Sequence, residues 1–132
     1  MSPPTTSTPA WNVLVATCPS RTSLAEIANK WTAMIVVVLS EGPHRFTQLR
    51  DAVDGISGKV LSDTLKRLER DGIVSRAAYD EMPPRVEYSL TPLGQSLHEP
   101  LRSLSRWAEA HIEQVLEHRD AYDARPPRTT LG

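Results

Sequence analysis

The chain has 132 residues and one cysteine, a size that a single hydrophobic core can serve without disulfides and that excludes two packed domains. Fifteen lysines and arginines against sixteen aspartates and glutamates leave a net charge of −1, which excludes a histone-like protein holding polyanions by bulk charge, so any nucleic-acid site must be local. Cys18 has no intrachain partner, and no apolar run reaches the roughly 18 residues of a spanning helix, so a soluble, cytoplasmic protein without a membrane partner is expected.

Met1 to Pro9 is rich in Ser, Thr and Pro and lacks the basic-then-apolar layout of a secretory signal, so export is not expected. Residues 1–10 and 124–132 read as disordered tails around one folded unit over 11–123. Leu24 and Ile27 share a face behind the candidate caps Ser20, Thr22 and Ser23, which predicts a short first helix. From Lys30 to Ser40, Trp31, Met34, Ile35, Val38 and Leu39 recur at three and four, predicting a central core helix that Gly42 and Pro43 end. After an extended piece at Arg45 and Phe46, Thr47 is a candidate N-cap for a helix of one or two turns with Leu49 and Val53 facing inward. Ile56 and Ser57 then read as the N′ and N-cap residues of a further helix, stapled by Ile56 and Leu61 and ending at Gly72. Leu61, Leu65 and Leu68 form its apolar stripe, leaving Lys59, Ser62, Asp63, Lys66, Arg67 and Arg70 off it.

Beyond Gly72 the period changes to two. Ile73 to Tyr79 and Arg85 to Leu90 read as antiparallel strands joined by the turn-rich tip Asp80 to Pro84. Thr91 and Pro92 supply an N-cap and an N1 proline for the longest helix, about 92–119, in which Pro100 predicts a bend. The fold class is thus mainly α with a small β hairpin (α+β), in the order of a winged helix-turn-helix domain followed by a long C-terminal helix. In that motif the second helix enters the major groove while the first crosses the backbone, so 47–53 becomes the positioning helix and 57–71 the recognition helix. The hairpin becomes the wing, its tip over 80–85 beside the minor groove, with Arg85 the candidate contact. The bland reading is that Lys66, Arg67 and Arg70 form a solvated face, with Asp63 and Arg67 an i, i+4 pair.

Cys18-Pro19, Lys30-Trp31-Thr32, Gly42, Arg45-Phe46, Gly55-Ile56-Ser57, Leu61, Leu65, Leu68-Glu69, Asp71-Gly72-Ile73-Val74 and Pro83-Pro84-Arg85-Val86-Glu87-Tyr88-Ser89-Leu90-Thr91 form an ordered set. With Gly94, Leu97 and Trp107 beyond it, this set resembles the HxlR-type winged-helix regulators of bacteria, over roughly residues 18 to 112. The resemblance implies a homodimeric, sequence-specific DNA-binding transcription factor related to the multiple-antibiotic-resistance (MarR) regulator group. Ala28-Asn29 stands where that family often has a glycine pair. On this reading Arg45, Arg50, Lys59 and Arg76 are candidate phosphate donors, and Thr47 belongs to the same surface. Ser62, Asp63, Lys66 and Arg67 are placed for bases, while Ser57 marks a helix N-terminus with outward N–H groups. Asp63 could accept from a cytosine amino group or only orient Arg67; the second is favoured because an acid near phosphates is otherwise repelled.

Leu97, Leu101, Leu104, Ala108, His111 and Val115 alternate at steps of four and three, widened by Trp107 and Ile112, which predicts a homodimer seam. The stripe could instead cover the chain's own core, but a helix of about 25 residues outruns a small three-helix core. A dimer sets two half-sites about 34–36 Å apart and so implies a pseudo-palindromic operator in double-stranded DNA. Some members of the resembled family sense oxidants or electrophiles through a cysteine at the place of Cys18, whose thiol a helix N-terminus and Arg21 would activate; the alternative is a buried, inert thiol. His44, His98, His111 and His118 are scattered, no nucleotide or nucleophile motif occurs, and Glu113 with Glu117 reads as a solvated face, so no metal, cofactor or enzyme activity is expected. The rival reading is a winged-helix protein-interaction module without specific DNA binding. A variant of the main reading adds a small apolar effector between the last helix and the core helix, near Trp31, Met34 and Trp107.

Overall fold

The computed structural model describes residues 10–127, so the tails expected at 1–10 and 124–132 lie outside it apart from Ala10 and Ala124 to Pro127. The described elements are α1 (Pro19–Ile27), α2 (Lys30–Leu39), α3 (Phe46–Ala52), α4 (Gly58–Arg70), β1 (Val74–Tyr79), β2 (Arg85–Leu90) and α5 (Pro92–Asp123), in the order read from the sequence. For most helices local chemistry sets the start, and not always at the expected residue. Cys18 is the N-cap of α1, because Pro19 is already preset for the first helical position; Ser20, Thr22 and Ser23 lie inside the helix and do not cap it. The Asn29 side chain accepts the Trp31 N–H at 2.8 Å and starts α2.

α2 is the core helix, but it is rotated from the expected stripe. Thr32, Ile35, Val36 and Leu39 are buried, Met34 is 45% exposed, and Trp31 and Val38 only lean on the core. Apolar residues surround this helix, so spacing could not choose its inner face; Leu49, Leu61, Leu65, Val74 and Leu101 packed around it do. α3 starts at Phe46, behind Arg45 and not at Thr47. Reciprocal backbone bonds between His44 and Tyr88 (3.0 and 2.8 Å) hold the chain extended up to that point, and the Gln48 side chain then accepts the Arg45 N–H at 2.8 Å.

Gly55, at φ +86°, turns the chain from α3 to α4. The Ser57 hydroxyl accepts the Val60 N–H at 3.1 Å, as its position predicts, and Ile56 and Leu61 are both buried. Thr64 joins the buried stripe of Leu61, Leu65 and Leu68, its hydroxyl donating to the Val60 carbonyl at 2.7 Å. β1 and β2 pair antiparallel from Val74 opposite Leu90 to Tyr79 opposite Arg85. The Thr91 hydroxyl accepts the Gly94 N–H at 3.0 Å to start α5, which passes through Pro100 and reaches four residues beyond the expected Arg119, to Asp123. No single helix among the described residues is long and apolar enough to cross a membrane.

Candidate nucleic-acid interface

α3 and α4 turn Leu49, Leu61, Leu65 and Leu68 into the core, which leaves their polar positions outside. On and beside α3, Arg45, Thr47 and Arg50 are exposed; along α4, Lys59, Asp63, Lys66, Arg67 and Arg70 are exposed and Ser62 is half-buried. Ser57 uses its hydroxyl as the cap, so the first N–H groups of α4, which have no acceptor within the helix, form its positive end. Asp63 does not orient Arg67 as expected. Its carboxylate meets Lys59 Nζ at 2.9 Å, and the Lys59 hydrogen bond and charge, followed by the charges of Lys66 and Arg67, hold it below the usual carboxylate range. Both side chains of this pair are wet, so it is a weak tether.

Between α4 and the hairpin lies a cleft of about 410 Å³ lined by Ser62, Leu65, Lys66 and Glu69 from the helix and by Arg76 and Tyr88 from the strands. Ser62, Lys66 and Glu69 follow at i, i+4 and i+7, so one helix face supplies this wall, and Arg76 approaches from β1. The hairpin tip is exposed, with Met82 at 96%. Arg85, expected as a contact at the tip, begins β2 with its side chain only 27% exposed. Its guanidinium meets Glu81 at 2.8 Å and Glu87 at 3.0 Å and lies 4.0 Å from the centre of the Tyr79 ring.

The eight expected seam residues of α5 divide. Leu101 is buried and Leu97 half-buried against the chain's own core, because the first turns of α5 pack on α2 and β2. Leu104 (58%), Trp107 (55%), Ile112 (45%) and Ala108 are exposed, and His111 and Val115 half-buried, with the Trp107 and His111 rings stacked at 4.7 Å. Leu116 continues this exposed apolar side and went unread, although it stands one turn after Ile112. Trp11, Val13, Leu14 and Val15 are exposed apolar residues ahead of α1 that no periodicity announced. Met34 lines an open apolar cleft of about 470 Å³ with Val37, Val38, Val53, Ser105 and Ala108; Trp31 and Trp107, expected beside any effector, do not line it.

Cys18 is half-buried, with its Sγ 3.0 Å from the Ser20 hydroxyl and accepting the Asn12 N–H at 3.3 Å. The Ser20 hydrogen bond first, and the Asn12 N–H next, draw the thiol below its ordinary range; Arg21 adds only its backbone N–H, in place of the guanidinium charge expected. Among the described residues, no group of three or more His, Cys, Asp or Glu could hold a metal ion.

The model of the HxlR-like helix-turn-helix family matches residues 26–116. The HTH-type transcriptional regulator YtfH of Escherichia coli, itself uncharacterised, is 44% identical over 109 residues, covering 83% of this chain and 86% of that protein. The solved structure of YtfH from Salmonella typhimurium superimposes with a TM-score of 0.78 at 41% identity, covering 83% of this chain and 98% of that one. Diamide-treated YodB from B. subtilis gives a TM-score of 0.61 at 32% identity, covering 73% of this chain and 96% of that one. With the helix-turn-helix, the hairpin and the long last helix in the arrangement these relatives share, the chain belongs to the HxlR-like helix-turn-helix family, whose members are DNA-binding transcriptional regulators and not enzymes.

Proposed function

We propose that the protein is a cytoplasmic, homodimeric regulator that reads a pseudo-palindromic operator in double-stranded DNA, with α4 in the major groove and the wing tip over 80–85 beside the minor groove. The observation that carries this reading is the cleft on which Ser62, Lys66 and Arg76 converge from helix and hairpin. α4 has 13 residues, about 20 Å of helix, and its outward face offers Ser62, Lys66 and Arg67 to base edges in a groove about 12 Å wide. Arg45, Thr47, Arg50, Ser57, Lys59 and Arg76 surround that face as backbone contacts, fixing register without carrying sequence information.

Dimerisation is supported by α5 from Leu104 onward, where Leu104, Trp107, Ile112 and Leu116 are exposed and outside the chain's own core. Two copies joined there set two recognition helices about 34–36 Å apart, one helical turn of DNA. A small apolar effector would enter the cleft between α2 and α5 at Met34 and Ala108, and its test is ligand-dependent thermal stabilisation.

Cys18 is proposed as a sensor of oxidants or electrophiles, a reading favoured by its lowered thiol pKa and partial exposure, and by the structural relative YodB, solved both reduced and after diamide treatment. The Cys18 thiolate attacks a peroxide oxygen, the O–O bond breaks, and sulfenic acid forms as hydroxide or alkoxide leaves and takes up from solvent the proton the thiol released; a second thiol, from the partner copy or a small molecule, then condenses to a disulfide with loss of water.

The test is an anisotropy titration on a fragment of the gene's own upstream region at two salt concentrations, with an unrelated fragment as competitor. A steep salt slope and preference for the cognate fragment are expected, with the preference lost on oxidation in the parent and kept in Cys18→Ser. Equal, salt-insensitive binding to both fragments would instead favour a protein-interaction module.

A further inference from the structure

We infer that Arg85 is a positioning residue that braces the wing from inside, and that Arg76 is the cation the hairpin offers to a phosphate. The inference deepens the DNA-binding reading above and rests on it only for the role of Arg76.

Arg85 opens β2 directly opposite Tyr79, the last residue of β1, so both side chains stand on one face of the hairpin; Glu87, two residues along β2, shares that face. Glu81 folds back from the tip. One terminal nitrogen of the guanidinium meets Glu81 at 2.8 Å, the other meets Glu87 at 3.0 Å, and the Tyr79 ring closes one side at 4.0 Å. The Nε atom is enclosed without a partner, so that edge of the guanidinium is not presented to solvent, and both terminal nitrogens are already engaged by carboxylates. A DNA phosphate would have to displace a seated carboxylate while facing the other, beside a tip that carries Asp80 and Glu81 and no lysine.

The brace answers a need of the fold. β1 buries only Val74 and β2 packs on the core through Tyr88 and Leu90, so the end of the hairpin beyond Tyr88 lies past those contacts, and a two-stranded hairpin on its own is marginal in water. Cross-linking the tip to β2 through Arg85 stiffens it. Arg76 differs: it is exposed, makes no ion pair among the described residues, and lines the cleft with Lys66.

The full-length parent, Arg85→Ala, Arg76→Ala and a Glu81→Gln/Glu87→Gln double variant are compared by amide exchange without DNA and by the slope of log affinity against log salt. Arg76→Ala should reduce the slope by about one and leave hairpin exchange unchanged. Arg85→Ala should keep the parental slope while hairpin amides exchange about tenfold faster, the effect of losing two ion pairs and a ring contact; the double variant, which keeps the ring contact, should also speed hairpin exchange, by less than Arg85→Ala, although Arg85 is present. Unchanged hairpin exchange in Arg85→Ala, or a slope reduced by about one as in Arg76→Ala, would overturn the brace. Failure of the DNA-binding reading would show separately, as absence of salt-dependent binding in the parent, and the exchange comparison would still decide on Arg85.

Discussion

Replacing Gly94 by alanine should destabilise the protein, although alanine is the better helix former. Gly94 is buried in the first turn of α5, where a Cβ would lie 2.2 Å from the Ile73 carbonyl oxygen, 3.2 Å from its carbon and 3.1 Å from Leu90 Cδ2. A carbon and a carbonyl oxygen settle at about 3.3 Å, so α5 must back away from the root of the hairpin by roughly 1 Å. That carbonyl also accepts the Thr91 N–H at 3.0 Å, so the shift strains the cap that starts α5 as well. Overpacking against backbone costs about 3 kcal/mol, and the gain in helix propensity returns about 1, leaving a loss of about 2 kcal/mol. Urea unfolding at fixed protein concentration should give a lower midpoint with unchanged slope, and the melting temperature should fall by about 6–10 °C. An alanine variant as stable as the parent would mean that the close approach of helix and hairpin does not constrain this site.

Arg50→Ala, removing a DNA-backbone contact on α3, should weaken binding to all sequences and reduce the salt slope by about one, whereas Arg67→Ala on α4 should cost about 1–3 kcal/mol on the preferred site and relax discrimination there; the anisotropy titration separates the two. Ile112→Asp introduces a charge on an exposed position of α5, so the chain should keep its circular dichroism yet sediment as a monomer at micromolar concentration; a dimer unchanged by it would move the seam elsewhere. The Ser20 hydroxyl favours the Cys18 thiolate, so Ser20→Ala should raise the thiol pKa and shift the pH profile of iodoacetamide alkylation upward, giving slower reaction at neutral pH; superimposable profiles would remove Ser20 from the account.

The order of elements was legible in the sequence because each rests on neighbours in the chain. Ser57 caps α4 and Thr91 caps α5 through bonds three residues long, and α4 has one apolar stripe, so its inner face was never in doubt. Contacts between distant segments decided the rest. α2 is apolar on every side, and only the packing of Leu49, Leu65 and Leu101 turned Ile35 and Val36 inward and Met34 outward. α3 begins at Phe46 because Tyr88, far along the chain, pairs with His44. Asp63 has a cation four residues away on each side, so spacing alone could not choose Lys59 over Arg67. The same limit hid the role of Arg85: Glu81 and Glu87 are visible beside it in sequence, but only the folded-back tip brings both carboxylates onto one guanidinium. Local hydrogen bonds and periodicity are properties of short stretches of chain, whereas the face a helix buries and the partner a charge takes depend on what else arrives at the same place.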